Sequence, residues 1–220
     1  MSEITAATVA KLREMTNAGM MDCKKALTET KGDLNAAVDY LRKKGAATAA
    51  AKVTREAREG VIAQYIAPGR RLGVLVEVNC ETDFVARNED FQRLVKDIAM
   101  QVVAAKPLYV RREDVPADVL EKEREIERHK LREQKKPEAI WDKIIAGKLE
   151  KFYETFCLMD QPWIQDDKKK VKDLITDKVA KIGEKISVRR FARFEVGEGI
   201  EKRKDDLASD VAKTLGGNGA

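Results

Sequence analysis

Val61-Ile62-Ala63-Gln64-Tyr65-Ile66-Ala67-Pro68-Gly69-Arg70-Arg71-Leu72-Gly73-Val74-Leu75-Val76-Glu77-Val78-Asn79 is the stretch from which the fold can be read. Two runs rich in β-branched residues flank Pro68-Gly69-Arg70, a tripeptide suited to a turn, so residues 61–67 and 72–79 are predicted to pair as a β-hairpin. In the second arm Leu72, Val74, Val76 and Val78 recur at every second position and share one face, as a half-buried strand requires. Downstream, Phe91, Leu94, Val95, Ile98 and Val102 switch the period to that of a helix with one apolar stripe. Val171, Leu174, Ile175, Val179 and Ile182 repeat that pattern and stop at Gly183. Ile186, Val188, Ala192, Phe194 and Val196 then alternate in a last strand, interrupted on that face by Arg190. Three strands among helices predict an α+β core with a small antiparallel sheet.

Upstream of the hairpin, residues 1–45 read as three short helices. Thr5 is placed to cap the first, which carries Val9 and Leu12 on one face; Asn17-Ala18-Gly19 marks a turn. The second runs from Met20 and Met21 through Cys23, Ala26 and Leu27 to Gly32, and Asp33 is placed to cap the third. Leu34, Ala37, Val38 and Leu41 form the apolar stripe of that third helix, with Gly45 as its stop. So small a three-helix core resembles the ubiquitin-associated type. Residues 46–59 have no apolar stripe and read as a partly helical linker.

Between the hairpin helix and the last strand, Pro116 opens a charged helix to about Gln134, and Lys135-Lys136-Pro137 breaks it. A second long helix carries Trp141, Ile144, Ile145, Leu149, Phe152, Tyr153 and Phe156 at helical spacing, so an antiparallel helical hairpin is expected over about 117–157, its polar arm partly in solvent. Leu207, Val211 and Leu215 suggest a short amphipathic helix before the loose tail Gly216-Gly217-Asn218-Gly219-Ala220. The expected domains are 1–55, three helices and linker; 56–200, the α+β core; and 201–220, a C-terminal helix and tail.

Charge and cysteine content narrow the function. Net charge is +5, but it is the difference between 43 basic and 38 acidic residues, which describes a mixed, solvated surface more than a phosphate-binding one. Cys23, Cys80 and Cys157 are odd in number and far apart, so neither a disulfide framework nor a metal spacing is expected. No apolar run reaches the roughly 18 residues of a membrane span, and a soluble, cytoplasmic protein is expected. With His129 as the lone histidine, no nucleophile–base–orienter trio is visible. A phosphate loop and a dinucleotide fingerprint are missing as well. The reading is a non-enzyme without cofactor or metal.

Two segments depart from this pattern. Met20 and Met21 are adjacent at a turn, where both cannot face the core of so small a domain; an exposed thioether suits a partner surface. Alternatively Met20 plugs the gap between the first two helices. Asn79-Cys80-Glu81-Thr82-Asp83-Phe84-Val85-Ala86-Arg87-Asn88 joins the end of the second strand to the helix carrying Phe91; Thr82 or Asp83 would cap that helix, and Phe84 would either project as a rigid aromatic beside a carboxylate or pack under the hairpin.

At these residues the chain resembles the elongation factor Ts family. Residues 12–27, Leu12-Arg13-Glu14-Met15-Thr16-Asn17-Ala18-Gly19-Met20-Met21-Asp22-Cys23-Lys24-Lys25-Ala26-Leu27, are similar to its first signature, with Asn17 where glycine is usual. Thr82-Asp83-Phe84-Val85 matches the second, and Arg193 to Lys202 looks like the C-terminal segment. The resemblance implies a guanine-nucleotide exchange factor that binds elongation factor Tu. It implies partner contacts at Arg13, Met20, Met21 and Lys52, and disturbance of the partner's magnesium and phosphate site by Asp83 and Phe84, within the matching block Thr82 to Val85. It also implies a contact by the C-terminal helix, about Asp205 to Leu215, and, since this chain has a single half-core, pairing as a homodimer through the sheets. A histidine usual near the hairpin is missing around Gln64 to Pro68, so no contact is carried over there.

A rival reading uses the basic excess, at Lys168-Lys169-Lys170 and Arg189-Arg190, to bind nucleic acid or the ribosome; interleaved acids argue against a continuous phosphate track. A third, an adaptor of ubiquitin type, rests on the three-helix start alone and leaves the core unexplained.

Overall fold

The computed structural model describes residues 4–16 and 18–200; Asn17 and the helix expected over residues 205–215 lie outside them. In chain order the elements are α1 (Ala6–Thr16), α2 (Met20–Glu29), α3 (Leu34–Ala50), β1 (Glu59–Ile66), β2 (Leu72–Cys80), α4 (Asp83–Ala86) and α5 (Glu89–Ala105). They continue with α6 (Ala117–Glu133), α7 (Trp141–Phe156), β3 (Pro162–Trp163), β4 (Asp166–Lys170), α8 (Val171–Ile182) and β5 (Ser187–Glu195).

α1, α2 and α3 close around Leu12, Cys23, Ala26, Leu27 and Ala37, all fully buried. The Thr5 hydroxyl accepts the Thr8 N–H at 3.2 Å, and the Asp33 carboxylate accepts that of Ala36 at 3.0 Å, so both expected caps are in place. Gly45 does not stop α3, which continues to Ala50. A Cβ on Gly45 would lie 3.3 Å from that of Ala180 on α8, so the glycine serves close helix packing and not a left-handed turn. That contact fastens the three-helix module to the core.

The hairpin β1–β2 forms around the turn at Pro68-Gly69-Arg70, where Gly69 and Arg70 take positive φ. β5 pairs antiparallel with the other edge of β2, giving the order β1-β2-β5. One sheet face carries Val74, Val76, Val78 and Val188 against Phe91, Leu94, Val95 and Ile98 of α5 and Leu174, Ile175 and Val179 of α8. Ladder register slips beside Glu77 and Val78, which oppose Arg190 and Val188. This bulge reverses the parity of β5, so Ala192 and Phe194 do not continue the inward face of Val188 and lie exposed instead. The open face therefore presents Ile62, Ile66, Leu75 and Phe194.

α6 and α7 form the expected helical hairpin. Only Glu127 and Leu131 of α6 are buried, and Glu121 pairs with Arg124 and Arg128 along its solvated side. At the base Arg112 bridges Glu150 at 2.7 Å and Asp160 at 2.8 Å. The small β3–β4 hairpin has no counterpart in the sequence reading, because a strand of Asp166-Asp167-Lys168-Lys169-Lys170 lacks any apolar alternation.

Candidate functional site

β2 runs straight into the first candidate site. The chain leaves the sheet at Cys80, turns through Glu81 and Thr82, and enters the single turn of α4. Neither Thr82 nor Asp83 caps the helix carrying Phe91: a separate turn intervenes, and α5 is capped by Asn88, whose side chain accepts the Asp90 N–H at 2.8 Å. Thr82 caps α4 instead: its hydroxyl accepts the Val85 N–H at 3.4 Å and donates to the Glu184 carboxylate at 2.7 Å. Asp83 is the first residue inside the helix and not its cap; its carboxylate pairs with Arg87 at 3.0 Å. Val85 turns inward against the sheet core and Ala86 is buried. Phe84 has nowhere to pack, and 80% of its surface is exposed. Of the two readings left open by the sequence, an aromatic under the hairpin and a projecting one, the structure shows the second.

The corner's electrostatics are set by its mount. The Lys185 N–H on the Glu81 carboxylate at 2.6 Å, helped by Arg55, holds that carboxyl below its ordinary range. Burial, with the nearby Glu184 charge, pushes the Cys80 thiol up to about 11, so it is no nucleophile at neutral pH. Among the described residues no group of three His, Cys, Asp or Glu side chains is arranged to hold a metal ion.

A second candidate surface lies on the three-helix module. Met20 and Met21 open α2 and are 60% and 76% exposed, so Met20 plugs no gap. Together with Val9, Ala10, Arg13 and Lys24 they line a groove of about 680 Å³ between α1 and α2. Lys52, expected as a further contact, is engaged within the chain, its ammonium on the Gly183 carbonyl that ends α8.

The basic runs that supported a nucleic-acid reading are largely paired. Lys169 meets Asp177 and Lys170 meets Glu154, each at 2.9 Å, while Arg189 and Arg190 share Glu77 at 2.8 and 2.7 Å. The arginine pair holds the Glu77 carboxyl down to about 2. Among the described residues, these pairs neutralise Lys169, Lys170, Arg189 and Arg190 within the chain. The sequence reading missed Glu184 and Lys185 because a charged dipeptide after a helix stop looks solvated; their partners lie more than 100 residues away in the chain.

Met20 with Met21 and Phe84 are large apolar side chains exposed on two packed modules, the kind of surface that a binding protein presents. Comparison with known proteins gives that class a family. The elongation factor TS family model matches residues 1–198. The chain is 63% identical to elongation factor Ts of Myxococcus xanthus over 216 residues, covering 98% of this chain and 99% of that one. It is 64% identical to elongation factor Ts of Anaeromyxobacter dehalogenans strain 2CP-1, with the same coverage. Against that of Geobacter sulfurreducens identity is 59% over 213 residues, covering 97% of this chain and 99% of that one. The chain belongs to the elongation factor Ts family, which serves protein biosynthesis as nucleotide-exchange factor for elongation factor Tu, and it is not an enzyme.

Proposed function

We propose that this chain releases GDP from elongation factor Tu in the cytoplasm by holding the partner in a state whose magnesium and phosphate site is disturbed. Met20, Met21 and Arg13 grip the GTPase, Lys52 makes a further contact, and the segment Thr82 to Val85 is driven against the nucleotide site with Phe84 as wedge and Asp83 as the charge beside the magnesium ion. The observation that carries this reading is the exposure of Phe84 on a turn whose residues Thr82, Val85 and Ala86 are tied down. A large aromatic is left in water there while Val85 and Ala86 beside it are packed into the core.

No catalytic group is required. A binder that prefers the distorted, magnesium-free partner weakens GDP by the same factor by which GDP weakens the binder. A coupling of about 2–3 kcal/mol changes affinity by about 10², and release quickens if the exit barrier falls with it. The test is stopped-flow release of fluorescent GDP from elongation factor Tu with and without this chain. Acceleration that saturates with chain concentration and weakens with added magnesium is expected; release that ignores the chain would refute the proposal.

The same reading includes a homodimer through the open sheet face, where Ile62, Ile66, Leu75 and Phe194 lie exposed together. Closed two-fold pairing covers such a face without leaving new edges. Sedimentation at about 10–100 μM, a range in which weak dimers still form, should give a dimer for the chain and a monomer for Phe194→Glu. A monomeric unaltered chain would remove this element alone. The C-terminal helix contact, over residues 205–215, is proposed on the family resemblance.

A further inference from the structure

α4 is four residues long. Forming a first helical turn fixes several backbone dihedrals for very few hydrogen bonds, so so short a helix does not hold its own direction in water. Whatever aims Phe84 must come from outside the turn. Val85 supplies one anchor by packing against the sheet core. The other is a carboxylate from the far end of the chain.

Glu184 lies between the end of α8 and the start of β5. Its carboxylate accepts the Glu81 N–H at 3.1 Å, the Thr82 N–H at 3.0 Å and the Thr82 hydroxyl at 2.7 Å. Three donors from the two residues just before Asp83 are thus gathered by one anionic acceptor, the stronger kind of hydrogen bond. Reciprocally, the Lys185 N–H donates to the Glu81 carboxylate at 2.6 Å. From there the Lys185 ammonium reaches the carbonyls of Val53 and Arg55, both at 2.7 Å, and Arg55 returns to Glu81 at 3.3 Å. The linker after α3, the turn carrying Phe84 and the α8–β5 connection therefore share one closed network.

We infer that Glu184 is a positioning residue for nucleotide exchange: it fixes the direction in which Phe84 leaves the core, and through Lys185 it ties that direction to the linker of the three-helix module. This rests on the reading of Phe84 as the wedge. The network explains how a grip at Met20 and Met21 and an insertion at Phe84 act on one partner as a single rigid tool. If the carboxylate is removed, two backbone N–H groups and a hydroxyl lose their acceptor. The turn is then held at its Val85–Ala86 end, by core packing and by the Gln92 amide on the Ala86 carbonyl, while its leading end at Thr82 loses its anchor. Binding through the methionines persists, but the wedge no longer arrives at a fixed angle, and the step that depends on aim suffers more than the step that depends on contact area.

The experiment compares Glu184→Ala, Glu184→Gln, Phe84→Ala and the double variant Phe84→Ala with Glu184→Ala, in full-length chain with elongation factor Tu and fluorescent GDP. Glu184→Ala is expected to slow saturated GDP release by about tenfold while weakening the complex by less than about threefold, since misplacement costs rate more than contact. Glu184→Gln keeps an acceptor oxygen and is expected to recover part of the rate. In the double variant Glu184→Ala adds nothing to Phe84→Ala, because a wedge that is missing cannot be misaimed. Amide hydrogen exchange gives a readout independent of activity: the N–H groups of Ala86 and Arg87, which close α4, exchange faster by about tenfold in Glu184→Ala while those of α5 do not change.

Loss of rate in Phe84→Ala with full rate in both Glu184 variants overturns the positioning role and leaves the wedge standing. So does an effect of Glu184→Ala that simply adds to that of Phe84→Ala. Full rate in Phe84→Ala overturns the wedge itself, and the positioning role with it. If Glu184→Ala fails to fold, Glu184→Gln carries the comparison, and an unchanged exchange pattern at Ala86 and Arg87 in that variant counts against the inference.

Discussion

Met20 and Met21 stand at the first turn of α2 with no side-chain cap beneath them, whereas Phe84 stands on a turn held by Thr82, Glu184 and Val85. Both places expose large apolar side chains, but the mounts differ. The methionine ledge rests on a small module with five buried core residues, and a thioether with three rotatable bonds adapts to whatever it meets. The aromatic rests on the main sheet core, has two side-chain torsions and keeps its direction. Adaptable contact suits affinity, and directed contact suits distortion of a partner. On the proposed reading the molecule divides its work along that line.

The largest effect that would sharpen this contrast separates two aromatics of neighbouring helices. Phe91 is fully buried under the sheet and Phe84 is not. Phe91→Ala is expected to cost about 3–5 kcal/mol of folding stability. Phe84→Ala should move stability by less than about 0.5 kcal/mol, as exposed sites usually do. GDP release, however, should slow in Phe84→Ala by more than affinity falls. Urea denaturation and stopped-flow release on both variants decide it. Were Phe84→Ala to unfold the chain as Phe91→Ala does, the corner would be core and the contrast would collapse.

Met20→Ala combined with Met21→Ala is expected to weaken the complex by about 1–3 kcal/mol. Release measured at saturating concentrations of the variant should stay near that of the unaltered chain, because the ledge supplies contact and not aim. Calorimetric titration and saturated release give the two numbers. A variant that binds normally but releases slowly would reverse the assignment of roles.

The mount of the corner also carries a pH dependence. Arg189 and Arg190 hold Glu77 down to about 2, below its usual 4.5, so the group binds protons more readily unfolded than folded. Its contribution to stability is full above pH 4.5 and is lost as pH falls towards 2. Glu77 sits at the bulge joining β2 to β5, and β2 leads directly to the corner. Acid titration should destabilise the chain over that window, and Glu77→Gln should flatten the response while lowering stability at neutral pH. Because both arginines are exposed, 1 M salt should reduce the effect. An acid profile unchanged by Glu77→Gln would show that the bulge contributes nothing to the mount.

What could be read from sequence follows the range of the interactions concerned. The hairpin, α5, α8 and the three N-terminal helices announced themselves because each has an apolar period over its own residues, as in Val74, Val76 and Val78 or Leu34, Ala37 and Val38. Gly45 misled because a glycine that admits Ala180 is locally indistinguishable from one that ends a helix. Ala192 and Phe194 misled because a bulge inserts one residue without any mark in the alternation. The candidate site was half legible. Its residue types stood out, but whether Met20 pointed in or out depended on how α1 and α2 pack, and the direction of Phe84 on neighbours far along the chain. Glu184 was invisible for the same reason.

The smallest effect expected on the fold, and the most specific on function, belongs to Asp83. Its carboxylate is half exposed and pairs with Arg87, itself 80% exposed, in an i,i+4 contact that contributes about 0.3–0.5 kcal/mol. Thr82 and not Asp83 provides the cap. Asp83→Ala should therefore stay within about 0.5 kcal/mol of the unaltered stability, where loss of a true cap would cost about 1 kcal/mol. Its effect on exchange should appear only through the partner's metal. With magnesium present the variant lacks the negative charge proposed to compete for the ion, and GDP release should slow. With magnesium chelated there is nothing to compete for, and the defect should shrink. Asp83→Asn separates charge from shape, since it keeps the size and an acceptor oxygen but not the charge. If charge is what matters, Asn behaves as Ala does and both respond to chelation. A defect of the same size with and without magnesium would exclude the ionic role and leave Asp83 as a partner of Arg87, with disturbance of the nucleotide site falling to Phe84 alone.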